Sequence, residues 1–81
     1  MEDDSQFELE RARQQLGITF SELWLRYFEL GGMADALEIE AYLRGALRPT
    51  ALDRDILAVA LNERIAAKGG DHPIPYSNDD G

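Results

Sequence analysis

The only histidine of this 81-residue chain, His72, stands between Asp71 and Pro73, with Asp79 and Asp80 a few residues on. A histidine among carboxylates is the raw material of acid–base chemistry or of a metal site. Here the spacing matches no defined ligand set, and no apolar run surrounds it to form a cleft that would shift a pKa. A serine or threonine nucleophile needs a base within hydrogen-bond reach. Ser5, Thr19 and Thr50 instead stand where helices should begin, which uses their hydroxyls as caps. There is no cysteine, so thiolate attack, a zinc–thiolate site and a disulfide framework are all excluded. Gly31-Gly32 and Gly69-Gly70 fall at helix ends and not after a strand, where a phosphate-cradling loop would lie. The expectation is a protein that is not an enzyme, with no metal and no cofactor.

The remaining chemistry is apolar. The stretch SELWLRYFELGG, residues 21–32, holds the only tryptophan and much of the aromatic bulk. Phe20, Leu23, Trp24, Tyr27 and Phe28 follow the i, i+3, i+4, i+7, i+8 rule of one helix face, and Leu25 and Leu30 widen the apolar arc to well over half the circumference. Only Glu22, Arg26 and Glu29 form a wet stripe, with Glu22 and Arg26 spaced to pair. Trp24, Tyr27 and Phe28 fit a core. Leu25 does not, because it lies about 100° round the helix from Trp24. Leu25, Leu30 and Met33 are therefore the candidate exposed patch, rimmed by Glu22 and Glu29, where a partner protein would seat. The same patch would serve self-association.

Four elements must position these residues. Ser5 with Glu8 has capping-box spacing and opens a first helix, in which Leu9, Ala12 and Leu16 share a face. Leu16-Gly17-Ile18 reads as its stop, with Gly17 left-handed. Thr19 with Glu22 repeats the box and opens the aromatic helix, which ends at Gly31-Gly32. Asp35 and Glu38 cap a third, short helix to Arg44, with Ala36, Ile39 and Leu43 on one side and Leu37 and Ala41 on the other. Thr50, followed by Asp53, opens the fourth and longest helix. It carries one stripe of Leu52, Ile56, Val59 and Ala60 and another of Leu57, Leu61 and Ile65, enough for two neighbours. The tail DHPIPYSNDDG has two prolines and is expected to be flexible, with Ile74 and Tyr76 able to dock. The spacing thus predicts one all-α domain over residues 1–70, a small four-helix orthogonal bundle with its core on helices two and four, and a tail over 71–81.

Sixteen acids against eight bases leave a net charge of -8. Such a field repels polyanions, so DNA and anionic membrane are disfavoured and a basic partner protein is favoured. No apolar run approaches the roughly 18 residues of a membrane span, and the acidic N-terminus does not suit a secretory signal. The absence of cysteine suits a reducing cytoplasm. Seven of the eight bases are arginine and ten residues are alanine, a composition that suggests a GC-rich bacterial genome.

RARQQLGITFSEL, LRGALRP and ILAVALN occur in that order. Together they resemble the helix-turn-helix of the Cro and lambda-repressor class, over about residues 11–62. There a first helix leads through an L-G-x-T turn into a capped second helix, and an R-G-x-x-x-P loop leads to an apolar helix. The resemblance implies a DNA-binding regulator, for which Arg44, Arg48 and Arg54 would be the phosphate contacts. Two features depart from the family. The stretch between Thr19 and Gly45 is longer, with ELGGMADA in place of the tight turn, and the recognition position, Ala36 to Arg44, carries Glu38 and Glu40 where DNA readers place Arg, Asn or Gln. The sequence therefore favours a protein-interaction module, regulatory or adaptor in kind, with the DNA-binding regulator as its rival.

Overall fold

A computed structural model describes residues 5–69. They form four helices: α1 (Ser5–Leu16), α2 (Phe20–Glu29), α3 (Ala36–Arg44) and α4 (Ala51–Ala67). No strand occurs among the described residues, and the chain is a small all-α bundle. The expected cap by the Ser5 hydroxyl and the expectations for the tail, including His72, Ile74 and Tyr76, lie outside what is described.

The helix starts follow from local hydrogen bonding. Thr19 and Asp35 both close reciprocal capping boxes, with Glu22 and Glu38 respectively. Each box satisfies two amides that the first turn would otherwise leave without partners. Thr50 accepts from the Asp53 amide at 3.1 Å. Between α1 and α2 the chain reverses at Gly17, whose φ of 72° lies in the left-handed region. The amides of Gly17 and Ile18 both return to the Arg13 carbonyl oxygen, and Ile18 then drops into the core, as a helix stop of this kind directs.

Burial is shared among all four helices. Leu9 and Ala12 come from α1, Leu23 and Tyr27 from α2, Ile39, Tyr42 and Leu43 from α3, and Leu57, Ala58, Ala60 and Leu61 from α4, joined by Ile18. Helices α3 and α4 each pack against both α1 and α2. A core resting mainly on α2 and α4 is thus corrected: α3 buries more side chains than α2, because α1 and α2 both cover it while the outward side of α2 stays open. The expected α4 stripe is also corrected at its first residue. Leu52 is 67% exposed, since it lies in the opening turn of α4, on the side away from the buried Leu57 and Leu61.

One polar relay crosses the core. The Tyr27 hydroxyl donates to Asp53 Oδ1 at 2.8 Å and accepts from the Ala34 amide at 2.9 Å. The Tyr42 hydroxyl donates to the other oxygen of Asp53 at 3.3 Å. Thus α2, α3 and α4 meet at one carboxylate in the first turn of α4. Burial is the main cause that pushes both phenols above their usual pKa of 10.0, and the Asp53 charge adds to it.

Candidate interaction surface

Helix α2 has a narrow buried side, and its outward side sets two large apolar side chains among polar and charged ones. Leu23 and Tyr27 are sealed, at 1% and 0% exposure, whereas Leu25 and Phe28 stand 52% and 55% exposed. Ser21, Leu25 and Phe28 follow i, i+4, i+7 and so form one outward ridge. Trp24 sits at its flank, half-buried. Its indole nitrogen donates to the Ala34 carbonyl oxygen at 2.9 Å, and its ring stacks on Phe28 with centroids 5.4 Å apart. That hydrogen bond holds the α2–α3 loop, and Met33, beside Ala34, is 92% exposed.

On its other side Leu25 borders a groove between α2 and α4. The groove encloses about 370 Å³ and is lined by Ile18, Leu25 and Ala60, with Glu22, Glu29, Glu63 and Arg64 at its charged edges. Arg26 crosses from α2 to α4 there and grips Glu63 with two bonds, at 2.8 and 2.9 Å. It also meets Glu29 at 3.3 Å. Hydrogen bonding to Glu63 holds the Arg26 guanidinium above its usual pKa and lowers that of Glu63. Hydrogen bonding from the Thr19 amide lowers that of Glu22.

The residues expected at the patch divide. Leu25 and Met33 are exposed, and Glu22 and Glu29 stand one turn to either side of Leu25. Leu30 is not part of it. It packs partly buried against the core, because it lies seven residues beyond the buried Leu23 and so only about 20° from it round the helix. Phe28, read from spacing as core, takes its place outside. The signal was present in the wheel, since Phe28 lies about 140° from Leu23 and falls at the edge of the arc. The expected pairing of Glu22 with Arg26 is likewise corrected. The Glu22 carboxylate accepts from the Thr19 amide at 2.8 Å, and Arg26 turns to α4 instead. Sequence spacing did not point to Glu63 or Ala60, which are distant along the chain.

The three arginines of the DNA-binding reading are dispersed in role. Arg44 pairs with Glu40 at 2.8 Å and lies 5.2 Å over the Phe20 ring, whose nearer cation is Arg13 at 4.0 Å. Arg48 is exposed in the α3–α4 loop, and Arg54 in α4 is half-buried and engaged with other groups.

Charge is unevenly placed. Glu2, Asp3, Asp4, Asp71, Asp79 and Asp80 fall outside the described residues, which carry ten acids against eight bases. Within them, residues 20–40 hold five carboxylates and the single cation Arg26, while the other described residues hold five acids and seven bases. The same segment holds Leu25, Phe28, Met33 and Leu37, four of the seven large apolar side chains exposed on the described surface. The local excess of carboxylates and most of the exposed large apolar side chains therefore fall in the same segment of the chain. No helix among the described residues is long and apolar enough to cross a membrane. Comparison with known proteins returns no matching family model, no matching curated protein and no matching solved structure.

Proposed function

We propose that the chain is a non-catalytic protein-interaction module that receives its partner on the outward side of α2. Exposed apolar side chains scattered singly on a surface mean little, whereas a contiguous set marks an interface. The observation that carries the reading is the pair Leu25 and Phe28, about half exposed on a helix whose opposite side seals Leu23 and Tyr27. Met33 is exposed in the loop that follows α2, and Glu22 and Glu29 supply a polar rim.

Composition and the order of helix signals support a cytoplasmic, bacterial, regulatory or adaptor component linked to transcription or signalling. The DNA-binding rival draws on the L-G-x-T corner and on the seven bases against five acids among the described residues outside 20–40. Against it stand the pairing of Arg44 with Glu40 and the carboxylates Glu38 and Glu40 along α3.

The test is the double variant Leu25→Gln/Phe28→Gln. It is expected to keep the helical circular dichroism of the parent, because both residues are substantially exposed. It should lose the proteins that co-purify with the tagged parent from its native cells. Retention of the same proteins would end the assignment to this surface.

A further inference from the structure

We infer that the partner's contact element is an amphipathic helix with basic flanks, seated in the groove between α2 and α4 and against Leu25. This rests on the interaction reading above and names the chemistry of its occupant. The described residues present no strand edge, so addition of a strand has no template. The groove instead runs beside α2 from Glu22 to Glu29, about 10.5 Å at 1.5 Å per residue. That is the distance between positions i and i+7 of a second helix, the spacing of the anchors by which a helix fills a groove. Ile18, Leu25 and Ala60 give those anchors an apolar floor.

Charge selects the flanks. The groove edges carry Glu22, Glu29 and Glu63 against Arg26 and Arg64, and Arg26 is already committed to Glu63 and Glu29. One carboxylate is thus in excess at the groove, within a segment of five acids and one base over residues 20–40. Lysine or arginine beside the apolar stripe of an incoming helix would meet these acids. A second copy would bring the same acids together, which opposes pairing face to face.

The probe is a synthetic peptide of about 18 residues, built of leucine and lysine with leucines at i, i+3, i+4 and i+7. Two companions complete the set: the same pattern with glutamate for lysine, and the leucine–lysine composition scrambled to destroy the stripe. Each is titrated into isotope-labelled protein and followed by backbone amide shifts. The patterned cationic peptide is expected to bind, to move the amides of Ile18, Leu25, Ala60 and Arg64, and to lose at least tenfold in affinity against Leu25→Lys. That variant suits the fold, because the introduced ammonium would sit between Glu22 and Glu29, and its folding is checked by thermal melting.

Equal binding of the scrambled or the glutamate peptide, shifts at Phe28 and Met33 with none at Ile18, Ala60 and Arg64, or no binding would each overturn the helix-in-groove assignment. So would a dimer in sedimentation that Leu25→Lys dissolves, since the occupant would then be a second copy. If co-purifying proteins are lost with Leu25→Gln/Phe28→Gln while the peptide fails, only the helix assignment falls. If those proteins are retained, the interaction reading falls with it.

Discussion

Tyr27 on α2 and Asp53 on α4 are joined by a 2.8 Å hydrogen bond from phenol to carboxylate, at a point where the ring is wholly buried. The same hydroxyl accepts from Ala34, so one side chain fixes the distance between two helices and the path of the loop leading to α3. The outward ridge of α2 is held in place by this inward anchor. Whatever loosens Tyr27 should also loosen Leu25 and Phe28.

Tyr27→Phe keeps the ring and deletes the hydroxyl, leaving the Ala34 amide and Asp53 Oδ1 without this partner. A hydrogen bond to a charged group contributes about 1.5–3 kcal/mol. Urea unfolding is expected to show a loss of that size at unchanged slope. A loss under about 0.5 kcal/mol would mean that water replaces the hydroxyl.

The two phenols also set an alkaline limit. Both Tyr27 and Tyr42 have pKa values raised above 10.0, chiefly by burial. The folded state therefore holds these protons more tightly than the unfolded chain does. Stability is fully present below pH 10 and falls as pH rises through the folded values. Denaturation midpoints between pH 8 and pH 12 should decline at the upper end, and Tyr27→Phe/Tyr42→Phe should flatten that decline. An equally steep decline in the double variant would assign it elsewhere.

Gly32 lies beneath the Tyr27 ring, and a Cβ at this position would overlap its carbon atoms. Gly32→Ala must therefore displace a fully buried side chain. Overpacking of this kind costs about 1–3 kcal/mol, and the melting temperature should fall accordingly. Near-neutral behaviour would show that the loop can retreat from the ring.

Arg13 donates to Glu10 at 2.6 and 2.8 Å, caps the Ile18 carbonyl oxygen at 2.8 Å and covers the Phe20 ring. A guanidinium can make these contacts together and an ammonium cannot. Arg13→Lys is expected to destabilise almost as much as Arg13→Met, by about 1–3 kcal/mol. Hydrogen bonding to Arg13 holds the Glu10 carboxyl below 4.5. Its contribution is present above that pH and is lost as pH falls through the folded value. The acid slope of unfolding should shrink in Arg13→Met; an unchanged slope would detach Glu10 from it.

Random-sequence duplex DNA offers a direct contest between the two readings. In a low-salt fluorescence titration the protein is expected to show no binding below about 1 µM, since phosphate contacts supply most non-specific affinity. Salt-dependent binding that Arg44→Ala and Arg48→Ala weaken would favour the helix-turn-helix regulator.

The amino-acid sequence by itself determined the helix boundaries. Thr19 with Glu22, Asp35 with Glu38, and Thr50 before Asp53 cap through bonds spanning three residues, and such bonds need no distant partner. It also placed Leu25 outside, because a helical wheel shows when an apolar arc exceeds one packed face. Only the tertiary structure decided which edge of that arc is covered. Phe28 stays 55% exposed because the other helices pack on the Leu23 and Tyr27 side of α2. It decided that Arg26 meets Glu63, 37 residues away, and that Asp53 serves two tyrosines from other helices. A wheel gives an angle about one axis; the neighbour at that angle is set by how the four helices pack.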